Sequence, residues 1–310
     1  MRRQYKKHSS GFQEWDQKIH ATQYMIFPEN IGEYICIDEV SLSQGELYTF
    51  VTNKNGHCKN GSLIASIKGT LSKDIISVLE KLPLEKREMV KEVTLDMAKN
   101  MESAARQMFP NSNLVTDRFH VVKLVIDALQ HIRINLRWDE LDKENNAIAE
   151  AKKLNQKYEP MVFENEDTPK QLLSRSRYIL TKKPTEWTES QKQRALILFR
   201  EHPLLKTAYE HAMEFRSIYE SQSMKYAKKR FLAWIEKTHS LLIKEFYTVA
   251  NTIKINFDNI LNFFINRNTN AYAESFNSKI KLFRANQRGV VDTSFFLFRL
   301  HKLFAFSPRN

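Results

Sequence analysis

Three acidic residues stand where carboxylates perform metal-dependent chemistry. Asp38 follows the apolar run Tyr34-Ile35-Cys36-Ile37, and Asp96 follows Val90 to Leu95, so each ends a stretch that reads as a short buried strand. In open α/β sheets, reacting groups gather outside the carboxyl ends of neighbouring strands. Two carboxylates held there repel each other. A hard cation such as Mg²⁺ relieves that repulsion and supplies Lewis acidity. An aspartate after a strand is also a common turn or N-cap residue, so each taken alone keeps a structural alternative.

The third acid is Glu274, in Asn266-Arg267-Asn268-Thr269-Asn270-Ala271-Tyr272-Ala273-Glu274-Ser275-Phe276-Asn277-Ser278-Lys279-Ile280-Lys281. Helical spacing puts Arg267, Asn270, Glu274, Asn277, Lys281, Arg284 and Arg288 on one stripe. Tyr272, Phe276, Ile280 and Phe283 form an opposing apolar stripe that packs on a core. A solvated face accounts for Lys281 or Arg288. A lone glutamate between two asparagines, followed by basic residues only, fits a metal-binding carboxylate beside phosphate-binding cations better.

The elements that must position these residues follow from hydrophobic periodicity. Leu47–Thr52 and Ser62–Ile67 read as a second and third strand around the turn-rich segment 53–61. Ile75, Ile76, Leu79 and Leu82 mark a helix, as do Met97, Met101, Ala104, Ala105 and Met108 before Pro110. Leu114-Val115-Thr116-Asp117 is a fifth strand that leads into another helix. The order βββ-α-β-α-β-α lets strands one and four lie side by side. From 128 to 258 strand signals vanish and helical patterns take over, for example Arg194 to Tyr209 and Tyr226 to Phe246. Residues 1–32 read as a basic N-terminal arm with Trp15, Tyr24 and Phe27 as scattered anchors; its Arg2, Arg3, Lys6 and Lys7 either track a polyanion or form a solvated tail.

Composition narrows the class. With 48 Lys+Arg against 36 Asp+Glu the formal charge is +12, which favours polyanionic partners. Only 7 Gly and 8 Pro imply long helices. Cys36 and Cys58 are too few for a disulfide framework or a four-cysteine zinc site, which fits a reducing cytoplasm. No secretory h-region follows the basic N-terminus, and no apolar run approaches the roughly 20 residues of a membrane span.

Several strings together resemble bacterial insertion-sequence transposases of the ISL group, relatives of the Mutator-like DDE transposases. They are Ile37-Asp38-Glu39, Leu95-Asp96-Met97, Val115-Thr116-Asp117-Arg118-Phe119-His120-Val121 and Asn270-Ala271-Tyr272-Ala273-Glu274-Ser275-Phe276-Asn277. The likeness continues through Arg288-Gly289 and Phe295-Phe296-Leu297-Phe298-Arg299. It implies an α/β, ribonuclease-H-like fold: a mixed five-stranded sheet with a large all-helical insertion before the final catalytic Glu. On that reading residues 33–127 form the first part of the core, 128–258 the insertion and 259–310 the returning part.

The resemblance carries over Asp38, Asp96 and Glu274 as the catalytic and metal-binding triad, with two Mg²⁺ ions for which Mn²⁺ substitutes. Their carboxylates are then expected roughly 4–8 Å apart. Asp117 competes for the place of second acid; Asp96 is preferred because the fourth strand of such a fold adjoins the first. His120 matches a histidine of the Mutator-like relatives, whose partner cysteine has no counterpart nearby. Asp117, His120, Asn270 and Asn277 are accessory candidates, the asparagines orienting Glu274 or touching DNA. Arg267, Lys279, Lys281, Arg284 and Arg288 are candidates for holding phosphates.

The implied activity is cutting of transposon ends and joining to target DNA. The implied partners are DNA, further copies of the chain in a dimer or higher oligomer, and a separate end-recognition protein, because the chain begins about 40 residues before Asp38. The implied setting is cytoplasmic, at the nucleoid. Another ribonuclease-H-like nuclease or resolvase, and a non-catalytic DNA-binding relic of a transposase, are the alternatives. The large helical stretch disfavours the former and the intact acids the latter.

Overall fold

The computed structural model describes residues 4–43, 45–268 and 271–305. The chain divides into two compact units, one of Met1–His120 with Asp258–Asn310 and the other of Val121–Phe257.

The first unit is built on a six-stranded mixed sheet. Its strands are β1 (Tyr24–Ile26), β2 (Tyr34–Ser43), β3 (Glu46–Asn53), β4 (Leu63–Lys68), β5 (Glu92–Leu95) and β6 (Asn113–Thr116), in the order β1-β4-β3-β2-β5-β6. β2, β3, β4 and β1 pair antiparallel, whereas β5 is parallel to both β2 and β6. Short connections suffice for the antiparallel strands; parallel neighbours need a crossover, usually helical. Helices α1 (Ser72–Leu79), α2 (Leu84–Glu88) and α3 (Lys99–Met108) provide it. In the β3–β4 connection Gly56 is obligatory, because a Cβ there would meet the Ser62 Cα at 2.7 Å.

Strand alternation divides the core between the two faces of the sheet. Ile35 and Ile37 point to the face where Ile75 and Leu79 of α1 and Met101 and Ala105 of α3 are buried. Val40, Leu42, Tyr48 and Phe50 lie in the other cluster, with Phe12, Trp15, Met25, Phe276, Ile280, Phe295 and Phe298. Full burial of each such aromatic stabilises by about 2–3 kcal/mol. Much of the segment expected as an arm is therefore part of the core. It also adds the sixth strand, against the five expected: Tyr24–Ile26 pairs with Ala65–Ile67 at the sheet edge. Three residues are too few to leave an alternation signal.

The second unit consists, among its described residues, of helices and connections. Helix α4 (Arg118–Lys153) starts at the end of the first unit and runs into the second, followed by α5 (Pro169–Arg175), α6 (Glu189–Glu201), α7 (Pro203–Ile218), α8 (Met224–Ser240) and α9 (Lys244–Ile255). Phe215, Phe231, Trp234 and Phe246 fill its centre, each at most 1% exposed. The helical patterns read as Arg194–Tyr209 and Tyr226–Phe246 each straddle a break. Pro203 lacks the amide that would continue α6 and bars helical geometry from His202. Leu242, with φ 54°, separates α8 from α9.

The chain re-enters the first unit through α10 (Phe257–Leu261) and α11 (Phe263–Asn266), then α12 (Ala271–Asn286) and α13 (Thr293–Phe304). Among the described residues no helix is long and apolar enough to cross a membrane.

Candidate active site

β2 presents Asp38 from its middle rather than its end, since the strand continues to Ser43 against β3. β5 follows β2 only through Tyr34↔Glu92, Ile35↔Val93 and Cys36↔Thr94. Asp38 thus stands where its parallel neighbour has given out, beside the residues that leave β5. Asp96 is the first of these. Its Oδ1 accepts the Ala98 amide at 2.7 Å in the turn that opens α3.

On the same face as Asp38, α12 packs with Phe276 and Ile280 fully buried, and the Phe276 ring stands edge-on to Phe50 at 5.7 Å. That seating turns Glu274, Asn277 and Lys281, at steps of three and four, toward the strand. Asp38, Glu39, Asp96, Phe119, His120, Glu274, Asn277 and Lys281 line one cleft of about 300 Å³.

The charge balance of the cleft is acidic and partly desolvated. Burial pushes the Asp38 carboxyl up to about 6; Asp96 adds to the rise, while the Glu39 amide, His120 and Asn277 oppose it. Burial also raises Glu274, helped by Asp117 and opposed by His120. Glu39 is raised by burial and by Asp96. His120 is thus the neighbour that Asp38, Glu39 and Glu274 share. Its Nδ1 lies 3.7 Å from Oδ2 of Asp117, which is buried just beyond β6, one strand further from Asp38 than Asp96.

The carboxylates were expected to converge. They share the cleft, but among the described residues no three His, Cys, Asp or Glu side chains form a ready cluster for an ion. Asn277 was expected to orient Glu274 or touch DNA; its amide nitrogen instead donates to Asp38 Oδ2 at 2.7 Å. Asn270 lies outside the described residues.

The basic stripe is divided. Only Lys281 borders the cleft. Lys279 donates to the Cys58 carbonyl at 2.8 Å, and Arg284 to the Ser41 carbonyl at 2.9 Å, so both also tie α12 to the sheet side of the unit. Arg267 and Arg288 flank the helix in left-handed conformations, φ 54° and 57°, which interrupts the continuous stripe that spacing implied. Arg267 lines a separate polar cavity of about 510 Å³ with Lys54, His57 and Tyr272. Tyr272, expected in the core, is 42% exposed and meets His57 edge-on, because the first turn of α12 overhangs the β3–β4 connection. Phe119 and Glu39 line the cleft without having been singled out; both sit inside the strings Asp-Arg-Phe-His and Ile-Asp-Glu.

A hard divalent cation fits this set of donors. The cleft offers carboxylate oxygens, and Asn277 Oδ1 is a buried acceptor that no donor reaches.

The transposase for insertion sequence element IS1001 of Bordetella parapertussis is 22% identical to this chain over 280 residues, which cover 89% of the chain and 62% of that protein. The chain spans less than two thirds of that relative's length. A family model described as a transposase, DDE_Tnp_ISL3, matches residues 35–300, a span that includes Asp38, Asp96 and Glu274. The chain belongs to the ISL3 family of DDE transposases.

Proposed function

We propose that this chain is the catalytic core of a DNA transposase with a ribonuclease-H-like fold, in which Asp38, Asp96 and Glu274 hold two divalent ions. The observation that carries it is the meeting of the three acids in one cleft, from two adjacent parallel strands and a helix contributed after the helical unit. Family membership supports the reading.

Asp38, Asp96 and Glu274 would hold the ions, and Asp38, whose carboxyl burial pushes up to about 6, would gain from a nearby cation. Asn277 donates to one of its oxygens and the Glu39 amide to the other. Asp96, at the exit of β5, and Glu274, on α12, would complete the set of carboxylates. A bound Mg²⁺ or Mn²⁺ supplies Lewis acidity at the scissile phosphate and activates the attacking water or 3′-hydroxyl. Lys281 meets a phosphate at the rim. His120 lines the same cleft beside the acids. The basic charge favours DNA, and action on paired ends favours a dimer or higher oligomer, with a separate protein reading the ends, in the cytoplasm at the nucleoid.

The test is a nicking and joining assay on a duplex carrying the inverted repeat that flanks the reading frame, with Mg²⁺ or Mn²⁺. The expected result is a free 3′-hydroxyl end that joins a second duplex. Cleavage without joining supports a nuclease or resolvase instead, and binding without cleavage a relic.

A further inference from the structure

We infer that the helical unit carries a DNA-backbone site of its own, formed by Arg133 and Arg137 of α4 and Arg177 of the turn after α5. Arg133 and Arg137 are one helical turn apart and share a face. The Gln130 side chain fixes the third member: its amide donates to the Arg177 carbonyl at 2.9 Å, while its oxygen accepts Arg133 Nε at 2.7 Å. Arg133 also donates to the Leu173 carbonyl at 3.0 Å and is only 7% exposed.

Arg133 meets neutral oxygens and no acid. None of the three belongs to an ion pair among the described residues, whereas Arg175 and Arg194 nearby in sequence share Asp167. Two acids further along α4 are committed elsewhere, Glu140 to Lys143 and Glu144 to Lys170. Nε of Arg137 is buried with no acceptor. Burial, then Arg177 and Arg137, pull the Arg133 guanidinium below its usual range, so Arg133 feels both neighbouring positive charges. An anion with several oxygens relieves all of this at once, and the guanidinium fork matches phosphate.

Exposed aromatic residues next to Arg137 and Arg177 in sequence favour nucleic acid among anions. Trp138 is 53% exposed and Tyr178 64% exposed, with the Arg177 guanidinium 5.5 Å above the Tyr178 ring. Aromatic faces beside guanidinium groups are what a sugar–phosphate strand with adjoining bases packs against. The inference rests on the transposase reading only for the choice of duplex DNA as ligand.

The experiment measures binding of the full chain to a 30-base-pair duplex by fluorescence anisotropy over a range of salt. Replacing Arg137→Gln and Arg177→Gln together should lower the slope of log K against log[salt] by about 1.8, or 0.9 per lost contact. Arg137→Lys with Arg177→Lys should keep most of it. An unchanged slope in the glutamine pair overturns the site. An intact-protein check avoids any folding defect: the duplex should protect Trp138 from iodide quenching, with Trp138→Phe as baseline, and absence of protection again overturns it. Competition by poly-glutamate but not by duplex would assign the face to an acidic protein and refute the proposal. Because binding is read without cleavage, failure here is separable from failure of the proposed active site, which the acid variants test.

Discussion

Asp38 and Asp96 occupy equivalent positions on adjacent parallel strands: the offset of 58 residues between them is the one that pairs Tyr34 with Glu92 and Cys36 with Thr94. Parallel neighbours lie about 4.8 Å apart. The pairing stops two residues earlier, so both side chains stand at the point where the sheet opens. Asp117 ends β6, on the far side of β5.

This register separates the two candidate second acids. Asp96→Asn should lower cleavage at least about a thousandfold with little change in stability, since a lost metal contact removes several kcal/mol of transition-state stabilisation. Asp117 is 2% exposed and accepts the Phe119 amide at the start of α4, so Asp117→Asn should lower the melting temperature. The reverse pattern in parallel cleavage and melting measurements would exchange their roles.

Glu274→Gln should abolish strand cleavage and leave fold and DNA binding nearly intact. Glutamine matches glutamate in size and helix propensity, and the packing of α12 rests on Phe276 and Ile280. It lacks the charge that a hard cation prefers. Cleavage at the wild-type rate, with circular dichroism unchanged, would remove Glu274 from the site.

Asn277→Ala should weaken apparent Mg²⁺ affinity by about 10–100-fold, because it frees a ligand oxygen that Asn277 orients. Titration of cleavage against Mg²⁺ reads this as a shifted midpoint with a largely recovered plateau. A lowered plateau at an unshifted midpoint would place Asn277 on the DNA instead.

Lys281 and Arg284 should now behave differently. Lys281→Ala should reduce the salt slope of DNA binding by about 0.9. Arg284→Ala should chiefly cost stability, on the order of 1–2 kcal/mol, since its guanidinium satisfies the Ser41 carbonyl. Equal slope changes for both would return Arg284 to the phosphate-binding group.

Acid should destabilise the helical unit through His211. It is 1% exposed, stacks on Trp234 at 4.4 Å and bonds Thr238 at 2.8 Å, and burial lowers its pKa to about 4. The unfolded chain takes up the proton first, near pH 6.5, so stability is complete above that value and declines as pH falls toward 4. The loss is on the order of 2–3 kcal/mol. Urea denaturation at pH 7.5 and 4.5 measures it, and His211→Phe should flatten the dependence.

The sequence made the central strands and the faces of α3 and α12 legible, because alternation and helical spacing are written in contiguous residues. Tyr24–Ile26 was not, being short and at an edge. The ends of α12 were missed because left-handed turns at Arg267 and Arg288 leave side-chain spacing unchanged while swinging those residues off the helix. The partner of Asn277 could not be read locally, since Asp38 is 239 residues away. Identity and position of the acids were visible; their hydrogen-bond partners depend on tertiary packing.

The interruption of the first unit between His120 and Asp258 also has a temporal consequence. During synthesis, β1 to β6 leave the ribosome with one apolar face only partly covered, and Phe50 waits for Phe276 until the whole helical unit has followed. Closing so long a loop is slow, and the open sheet face is exposed to aggregation in the meantime. The same order of synthesis keeps the acids of β2 and β5 apart from Glu274 until the helical unit has been made, so on the proposed mechanism the site is assembled only after that unit.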